Sequence, residues 1–231
     1  MTLAQGRSAR LPRTRRRRQL LDAAQQVFVA RGYHATAMDD IAERAGVSKP
    51  VLYQHFPGKF ELYLALLDTH GEALVSTVRE AMASTTDNRE RVRRAMEAYF
   101  DFVDAQGEAF RLVFESDLRN DPIVAERVDR VERDCGVAIA ETIMSDTGVN
   151  RERAELLAIG LTGAAEMAAR RWLASKRAVP KEEAVGLLAT LTWRGISRFP
   201  LQESGAASDE ADDGTEVALE PVGTPLRVVT R

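Results

Sequence analysis

The chain has 231 residues, of which 45% are hydrophobic and 29% charged, and its formal net charge at pH 7 is −3. This composition is typical of a soluble globular protein with one large domain or two small ones, and no stretch approaches the roughly 18 unbroken apolar residues of a membrane span. The single cysteine, Cys135, excludes a disulfide within the chain. The basic start of the chain has no apolar segment behind it, so we expect no secretory signal and a cytoplasmic protein.

The charge is unevenly distributed along the chain. Residues 1–18 contain seven arginines and no acid, whereas residues 199–231 contain seven acids and two arginines. A basic end on an acidic body favours local binding of a polyanion. We expect residues 1–14 to be a disordered basic arm and residues 199–231 to be a disordered acidic tail. The alternative to polyanion binding is an arm that is only solvated.

Apolar residues recur at intervals of three and four between residues 19 and 198, which predicts an all-α protein of about nine helices. A first helix over about residues 15–31 is followed by two short helices, which Thr36 and Ser48 are placed to cap. The second helix carries a predicted buried stripe of Met38, Ile41, Ala42 and Ala45. The later helices are predicted over about 59–83, 89–105, 108–117, 122–146, 151–176 and 181–198.

The two short helices, joined by Ala45-Gly46-Val47, have the lengths and the turn of a helix-turn-helix. The second helix of such a unit enters the major groove of DNA, while the first crosses the backbone. In the candidate recognition helix, Leu52 and Phe56 lie four residues apart and can face inward. The residues that remain to face outward are Lys49, Val51, Tyr53, Gln54 and His55. Such a face suits contacts with phosphates and base edges, although Tyr53 packed on the first helix and a solvated His55 are the alternatives.

The segment RGYHATAMDDIAERAGVSKPVLYQHFPGKFELYLALL, residues 31–67, resembles the DNA-binding domain of TetR-family transcriptional regulators. The match includes the threonine before the second helix, the AGVS turn, the LYxHF ending and the lysine that opens the fourth helix. The resemblance implies contacts with phosphates or base edges from Thr36, Ser48, Lys49, Tyr53, His55 and Lys59. It implies that the operator sequence is set by Pro50, Val51 and Gln54.

The same resemblance implies a division into a helix-turn-helix domain over residues 15–58 and a helical domain over residues 59–198. The second domain is expected to dimerise and to enclose a small-molecule pocket, and ligand binding is expected to move the fourth helix and change the spacing of the two DNA-reading heads. Lys59 begins that helix, where free backbone N–H groups also favour a phosphate.

Small side chains are dense in residues 154–169, which lets helices approach closely. Together with the helix at about 181–198, the helix at about 151–176 is expected to form a four-helix interface with a second copy of the chain. The alternative is that the small face packs inside the monomer. A homodimer of this kind would bind a palindromic DNA operator.

Apolar and aromatic side chains concentrate on and near the fourth helix: Leu74, Val78, Met82, Tyr99, Phe102, Phe110 and Phe114. They fit either a plain core or the wall of an apolar ligand cavity. The segments PVLYQHF, ELYLALL, STTDNR, FDFVD and RLVFE are similar to those of TetR-family regulators of fatty acid synthesis, which implies a long-chain fatty acyl-CoA ligand and control of lipid metabolism genes. The alternative is a repressor of an efflux or detoxification gene that responds to an aromatic, drug-like ligand.

The chain shows no pattern of residues that is typical of catalysis. It has three histidines, no glycine-rich phosphate loop after a strand, no metal-spaced cluster of Cys or His and no G-x-S-x-G motif. We therefore expect no enzyme, no metal and no cofactor, and we expect Cys135 to be a small buried residue. A helical ligand-binding or scaffolding protein with a vestigial helix-turn-helix is the second hypothesis. The operator and the direction of control stay open.

Overall fold

The computed structural model of the protein describes residues 12–105 and 117–196. These two ranges contain eight α-helices and no strand, which confirms the predicted all-α fold. In chain order the helices are α1 (Arg13–Arg31), α2 (Met38–Ala45), α3 (Lys49–His55), α4 (Lys59–Ala83), α5 (Asn88–Ala105), α6 (Pro122–Thr147), α7 (Arg151–Ala174) and α8 (Lys181–Ile196). A short 3-10 turn, Asp117–Asn120, precedes α6.

Several predicted boundaries differ from those of the structure. Helix α1 begins two residues before the predicted start, and α7 ends before a turn in which Lys176 and Arg177 have positive φ angles of 55° and 59°. The helix predicted over 108–117 lies outside the described residues except for Asp117, which begins the 3-10 turn. Most of the predicted basic arm and the whole of the predicted acidic tail also lie outside them.

The first three helices form a small head around one buried centre. Leu20, Phe28, Ile41 and Leu52 are completely buried there. The predicted stripe of α2 is buried, as expected, but the predicted cap by Thr36 is wrong, because the residue before α2 is Ala37. Its amide N–H is satisfied instead by the carboxylate of Asp40, whose Oδ2 accepts a hydrogen bond at 2.9 Å.

Helix α4 belongs to both parts of the molecule. Its first half is buried against α1, where Tyr63 meets Phe28 edge to face with ring centroids 6.1 Å apart. Its second half, with Val78 and Met82 buried, packs against α5 and α6. Most of the buried residues of the head and of the body form one continuous hydrophobic cluster through this helix, and a small separate cluster lies between α6 and α7. Helices α7 and α8 complete the body, α7 against α6 and α8 against α5.

Helices α4 and α6 approach closely at Gly71. A Cβ atom placed on Gly71 would lie 2.3 Å from Cγ2 of Val131, so the crossing leaves no room for a side chain on α4. One turn earlier, Asp68 accepts hydrogen bonds from Nε of Arg127 at 3.0 and 3.3 Å. The steric contact and the ion pair together fix where the two helices cross.

We predict that Gly71→Ala destabilises the protein despite the better helix propensity of alanine. Overpacking costs about 1–3 kcal/mol, against a gain in propensity of about 1 kcal/mol. The matched control is Gly136→Ala in α6, because a Cβ atom there meets no atom within 4 Å and the substitution should stabilise. Urea unfolding measures the free energy of unfolding of both variants. In a Val131→Ala background, which removes the clashing methyl group, Gly71→Ala should stabilise instead. If both alanines stabilise the protein equally, α4 and α6 can move apart at Gly71 without an energetic cost, which would contradict the prediction.

Candidate functional site

Helix α3 presents one buried and one exposed face. Leu52 is completely buried and Phe56, just after the helix, is 2% exposed, as the four-residue spacing predicted. The exposed side chains are Lys49, Pro50, Tyr53 and Gln54, and those of Val51 and His55 are half-buried. The residues predicted to meet DNA on this helix therefore share one accessible surface.

The turn before α3 is held by the backbone and by α1. Gly46 adopts a left-handed conformation, with φ 64°, and its amide N–H donates to the carbonyls of Ala42 and Glu43. Nε2 of Gln19, from α1, donates to the carbonyl of Ala45 at 2.8 Å. Ser48 precedes α3, and its carbonyl accepts the first backbone hydrogen bonds of that helix. The backbone bonds of the turn and the side-chain bond from α1 together fix the angle between α2 and α3.

Arginines at the start of α1 extend the exposed surface of α3. Arg17 lies with its guanidinium carbon 4.8 Å from the centre of the Phe56 ring. The pKa of His55 is lowered by burial and, to a smaller extent, by the charges of Arg13, Arg17 and Arg16. The sequence did not predict this proximity, because residues 1–14 were expected to be disordered, although the spacing 13, 16, 17 places these arginines on one face of a helix.

Lys49 is exposed and paired with an acid of α2. Its Nζ lies 2.5 Å from Oδ2 of Asp39, and both side chains are more than half exposed. Hydrogen bonding to Asp39 raises the pKa of Lys49, which keeps the ammonium charged. Exposed ion pairs contribute little to stability, so a phosphate can replace Asp39 at small cost.

Thr36 and Lys59 are engaged within the head. Thr36 is only 2% exposed, and its hydroxyl donates to the carbonyl of Gly32 at 2.7 Å, so its side chain is not on the DNA-facing surface. The ammonium of Lys59 donates to the carbonyls of Tyr33, His34 and Thr36 at 2.9, 3.3 and 2.8 Å. It also lies 4.5 Å from the centre of the Tyr33 ring. These bonds occupy all three N–H groups of the ammonium and attach α4 to the loop between α1 and α2.

A cavity of about 210 Å³ lies in the body between α4, α5, α6, α7 and α8. Of the predicted lining residues, Val78, Met82 and Tyr99 line it. Leu74 and Phe102 are buried in the surrounding core and do not line the cavity, while Phe110 and Phe114 lie outside the described residues. The lining that sequence reasoning missed comes largely from the later helices, with Met96, Ile139, Leu157, Leu161 and Trp193 among it.

Tyr99 and Cys135 both face this cavity from buried positions. Burial raises the pKa of the Tyr99 hydroxyl, and burial raises the pKa of the Cys135 thiol to about 12. Both groups are therefore protonated at neutral pH. Cys135 behaves as a small apolar residue, as predicted, because a thiol without thiolate character is a poor nucleophile.

The head, with its exposed recognition helix, and the body, with its apolar cavity, define a helix-turn-helix DNA-binding regulator. Residues 20–66 match the family model described as "Bacterial regulatory proteins, tetR family", and residues 88–195 match "Tetracyclin repressor-like, C-terminal domain". The chain belongs to the TetR family of DNA-binding transcriptional regulators and is not an enzyme. This membership favours the regulator over a scaffolding protein with a vestigial helix-turn-helix.

Individual relatives support the same assignment. The HTH-type transcriptional activator FasR of Mycolicibacterium smegmatis is 49% identical over 198 residues, which cover 86% of this chain and 90% of that protein. The crystal structure of a TetR-like transcriptional regulator from Rhodococcus sp. RHA1 superposes with a TM-score of 0.61 at 34% identity, covering 82% of this chain and 100% of that chain. A tetR-family regulator from Streptomyces coelicolor gives 0.64 at 27% identity, covering 82% and 86%.

Within residues 12–105 and 117–196, every helix is too short or too polar to cross a membrane.

We predict that Lys59→Ala weakens operator binding without changing its salt dependence. The substitution removes the donor of three loop carbonyls, which should cost about 1 kcal/mol of stability and loosen the head. Since the ammonium is engaged by carbonyls, its loss should release no counterions. The control is Arg17→Ala, which should lower the slope of log K against log salt by about one unit. A slope that falls by one unit for Lys59→Ala would show that the lysine exchanges its carbonyls for a phosphate, as the sequence led us to expect.

Proposed function

We propose that this TetR-family regulator acts in the cytoplasm as a homodimer that binds a palindromic operator. A long-chain fatty acyl-CoA in the cavity changes its operator affinity and so controls lipid metabolism genes. The observation that carries the proposal is that α4 contacts both functional regions. Lys59 at its start donates hydrogen bonds to the loop between α1 and α2 in the DNA-binding head. Val78 and Met82, near its end, line the cavity. A ligand in the cavity touches the helix that positions the head.

The exposed face of α3 is the proposed DNA-reading surface. Pro50, Val51 and Gln54 would face base edges in the major groove. The backbone phosphates would be contacted by Ser48, Lys49, Tyr53 and His55, together with the first turns of α1. The FasR relative is named as a transcriptional activator, which supports activation as the direction of control.

The proposed dimer interface is the outer face of α7 and α8. Large apolar side chains there are 60–72% exposed: Leu156, Ile159, Met167, Leu187 and Leu191. Large exposed apolar side chains on two helices that contact each other are typical of an interface, and two such helices from each copy complete a four-helix bundle. Gly160 and Gly163 lie on the same helix with open space at their Cβ positions, which lets the partner approach closely.

The apolar lining supports a hydrocarbon ligand, as does the resemblance of the segments quoted in the sequence analysis to those of regulators of fatty acid synthesis. The volume supports a second candidate. At about 210 Å³ the cavity is smaller than the roughly 300–1,000 Å³ of pockets that enclose drug-sized ligands. A compact aromatic ligand would fit it without further opening. The dependence of the response on chain length distinguishes the two.

We predict that the protein prefers a selected palindromic operator over random duplex by three or more orders of magnitude, with affinity that falls steeply as salt rises. Gln54→Ala should change the base preference at one operator position by about 1–3 kcal/mol, because it removes a base contact. Tyr53→Ala should weaken binding almost equally across sequences. Selection from genomic fragments followed by binding titrations measures these effects.

The same titrations test the dimer. Leu191→Asp places a charge in the proposed interface, so it should yield monomers in sedimentation and lose preference for the palindrome over a half-site. Glu72→Lys, exposed on α4 and outside the proposed interface, is the charge-changing control. A genomic selection that enriches no sequence over bulk DNA would refute the proposed function.

We predict that acyl-CoAs change the stability of a preformed operator complex in proportion to chain length. Each buried methylene contributes up to about 0.8 kcal/mol, roughly fourfold in affinity, until the available space is filled. Titrating chains of eight to twenty carbons measures the dependence. Met82→Trp should block the response by filling the cavity, whereas Ser76→Trp, exposed on the same helix, should leave it intact. A flat response across the series would contradict the acyl ligand and favour the compact aromatic one.

A further inference from the structure

One end of the cavity carries charge. Of the described residues that line the cavity, only Arg91 of α5 and Asp146 near the end of α6 are charged. Nη1 of Arg91 donates to Oδ2 of Asp146 at 2.6 Å, and the two side chains are only 20% and 23% exposed. A half-buried charge is stable when it is paired, so removal of either partner alone is costly.

Arg91 also holds the turn between α4 and α5. Its Nε donates to the carbonyl of Thr85 at 3.0 Å, and its Nη1 donates to Oδ1 of Asn88 at 2.8 Å. Thr85 is the second residue after the end of α4. A single guanidinium therefore connects the end of α4 to the end of α6 across the cavity.

The charged pair separates the cavity from an open groove on the surface. Four of the cavity-lining residues, Met82, Arg91, Thr142 and Asp146, also line this groove. The groove is completed on its outer side by residues that include the exposed Arg79 and Glu141. The Arg91–Asp146 pair thus stands where a molecule would pass from the surface into the apolar interior.

We propose that this pair is the entrance of the cavity and selects an amphiphile with an anionic head. The tail enters the cavity, and the head replaces Asp146 as the partner of Arg91. The inference rests on the acyl ligand of the proposed function and adds the residues that recognise its head group. It requires space outside the cavity for the head, which the groove beside Arg79 supplies.

Charge balance explains why the entrance would discriminate. A neutral head that separates the pair leaves a half-buried arginine without a negatively charged partner, which costs more than the weak hydrogen bonds of the neutral head return. An anionic head supplies an equivalent acceptor, while Asp146 turns toward water in the open groove. The exchange also removes the direct connection between α6 and the turn after α4, so that binding at the entrance frees the end of α4.

The experiment compares three twelve-carbon probes with different heads. Dodecanoate carries a carboxylate, dodecanoyl-CoA carries phosphates beyond a neutral thioester, and methyl dodecanoate is neutral. Binding is measured on the full chain below micellar concentrations by the change in tryptophan fluorescence, to which Trp193 in the cavity lining and the buried Trp172 both contribute. The variants are Arg91→Gln and Asp146→Asn. The control is Arg93→Gln, whose arginine lies on the same helix, pairs with Glu90 and Glu97 and does not line the cavity.

We expect the unmodified protein to bind at least one anionic probe about tenfold or more tightly than the ester, as loss of one charge-assisted hydrogen bond implies. Arg91→Gln should abolish that preference, Asp146→Asn should tighten anion binding, and Arg93→Gln should change neither. Misfolding cannot produce the tighter anion binding expected of Asp146→Asn, so this variant tests the entrance even if Arg91→Gln disturbs the fold. Dependence on Arg91 for dodecanoate alone assigns a carboxylate head, and dependence for dodecanoyl-CoA assigns the phosphates.

Two outcomes would overturn the inference, and they differ in what else they contradict. If the ester binds as tightly as both anions, or Arg91→Gln keeps the preference, the selective entrance is wrong and the apolar ligand stands. If no probe binds with any head, the acyl ligand of the proposed function fails as well.

Discussion

The packing of both halves of α4, one in the DNA-binding head and one in the body, is the constraint on which the rest of the structure depends. Twenty-five residues form one helix, about 38 Å long at 1.5 Å per residue. Its first half completes the core of the DNA-binding head, and its second half forms a wall of the cavity. Because a packed helix transmits displacement with little bending, the two regions share one mechanical element.

Three attachments decide how that element can move. Lys59 binds its start to the carbonyls of the loop after α1, and the close contact of Gly71 with Val131 fixes its crossing with α6. The turn after its end is held to α6 through Arg91. Under the proposed function, a pivot between two attached ends would convert a change at the cavity into a change in head orientation. Because such coupling is reciprocal, operator binding would then change ligand affinity by the same factor.

Local signals predicted the head well, because its geometry depends on short-range spacing. The lengths of α2 and α3, the left-handed Gly46 and the inward Leu52 and Phe56 all follow from neighbours within a few residues. Thr36 and Lys59 differed from expectation because their partners depend on how the loop after α1 folds back on α4. That arrangement depends on tertiary packing, which spacing along the chain does not encode.

The sequence predicted an apolar cavity beside α4 but only some of the residues that line it. Val78, Met82 and Tyr99 could be found from apolar spacing near α4, whereas Leu157 and Trp193 reach the cavity only through the packing of α7 and α8. The ion pair of Arg91 and Asp146 joins residues 55 positions apart on helices whose relative rotation is set by the core. Each side chain alone reads as an ordinary surface charge.

The proposed ligand response requires that a ligand in the cavity move the DNA-binding heads through α4. The distance between spin labels placed at Gln54 in the two protomers of the proposed dimer tests this movement most directly. It is measured by pulsed electron paramagnetic resonance with and without dodecanoyl-CoA at a concentration that saturates the unmodified protein. We expect a shift in the distance distribution, and a smaller shift at the same concentration when Arg91→Gln weakens the entrance. Saturation of the cavity with an unchanged distance distribution would contradict the proposed movement.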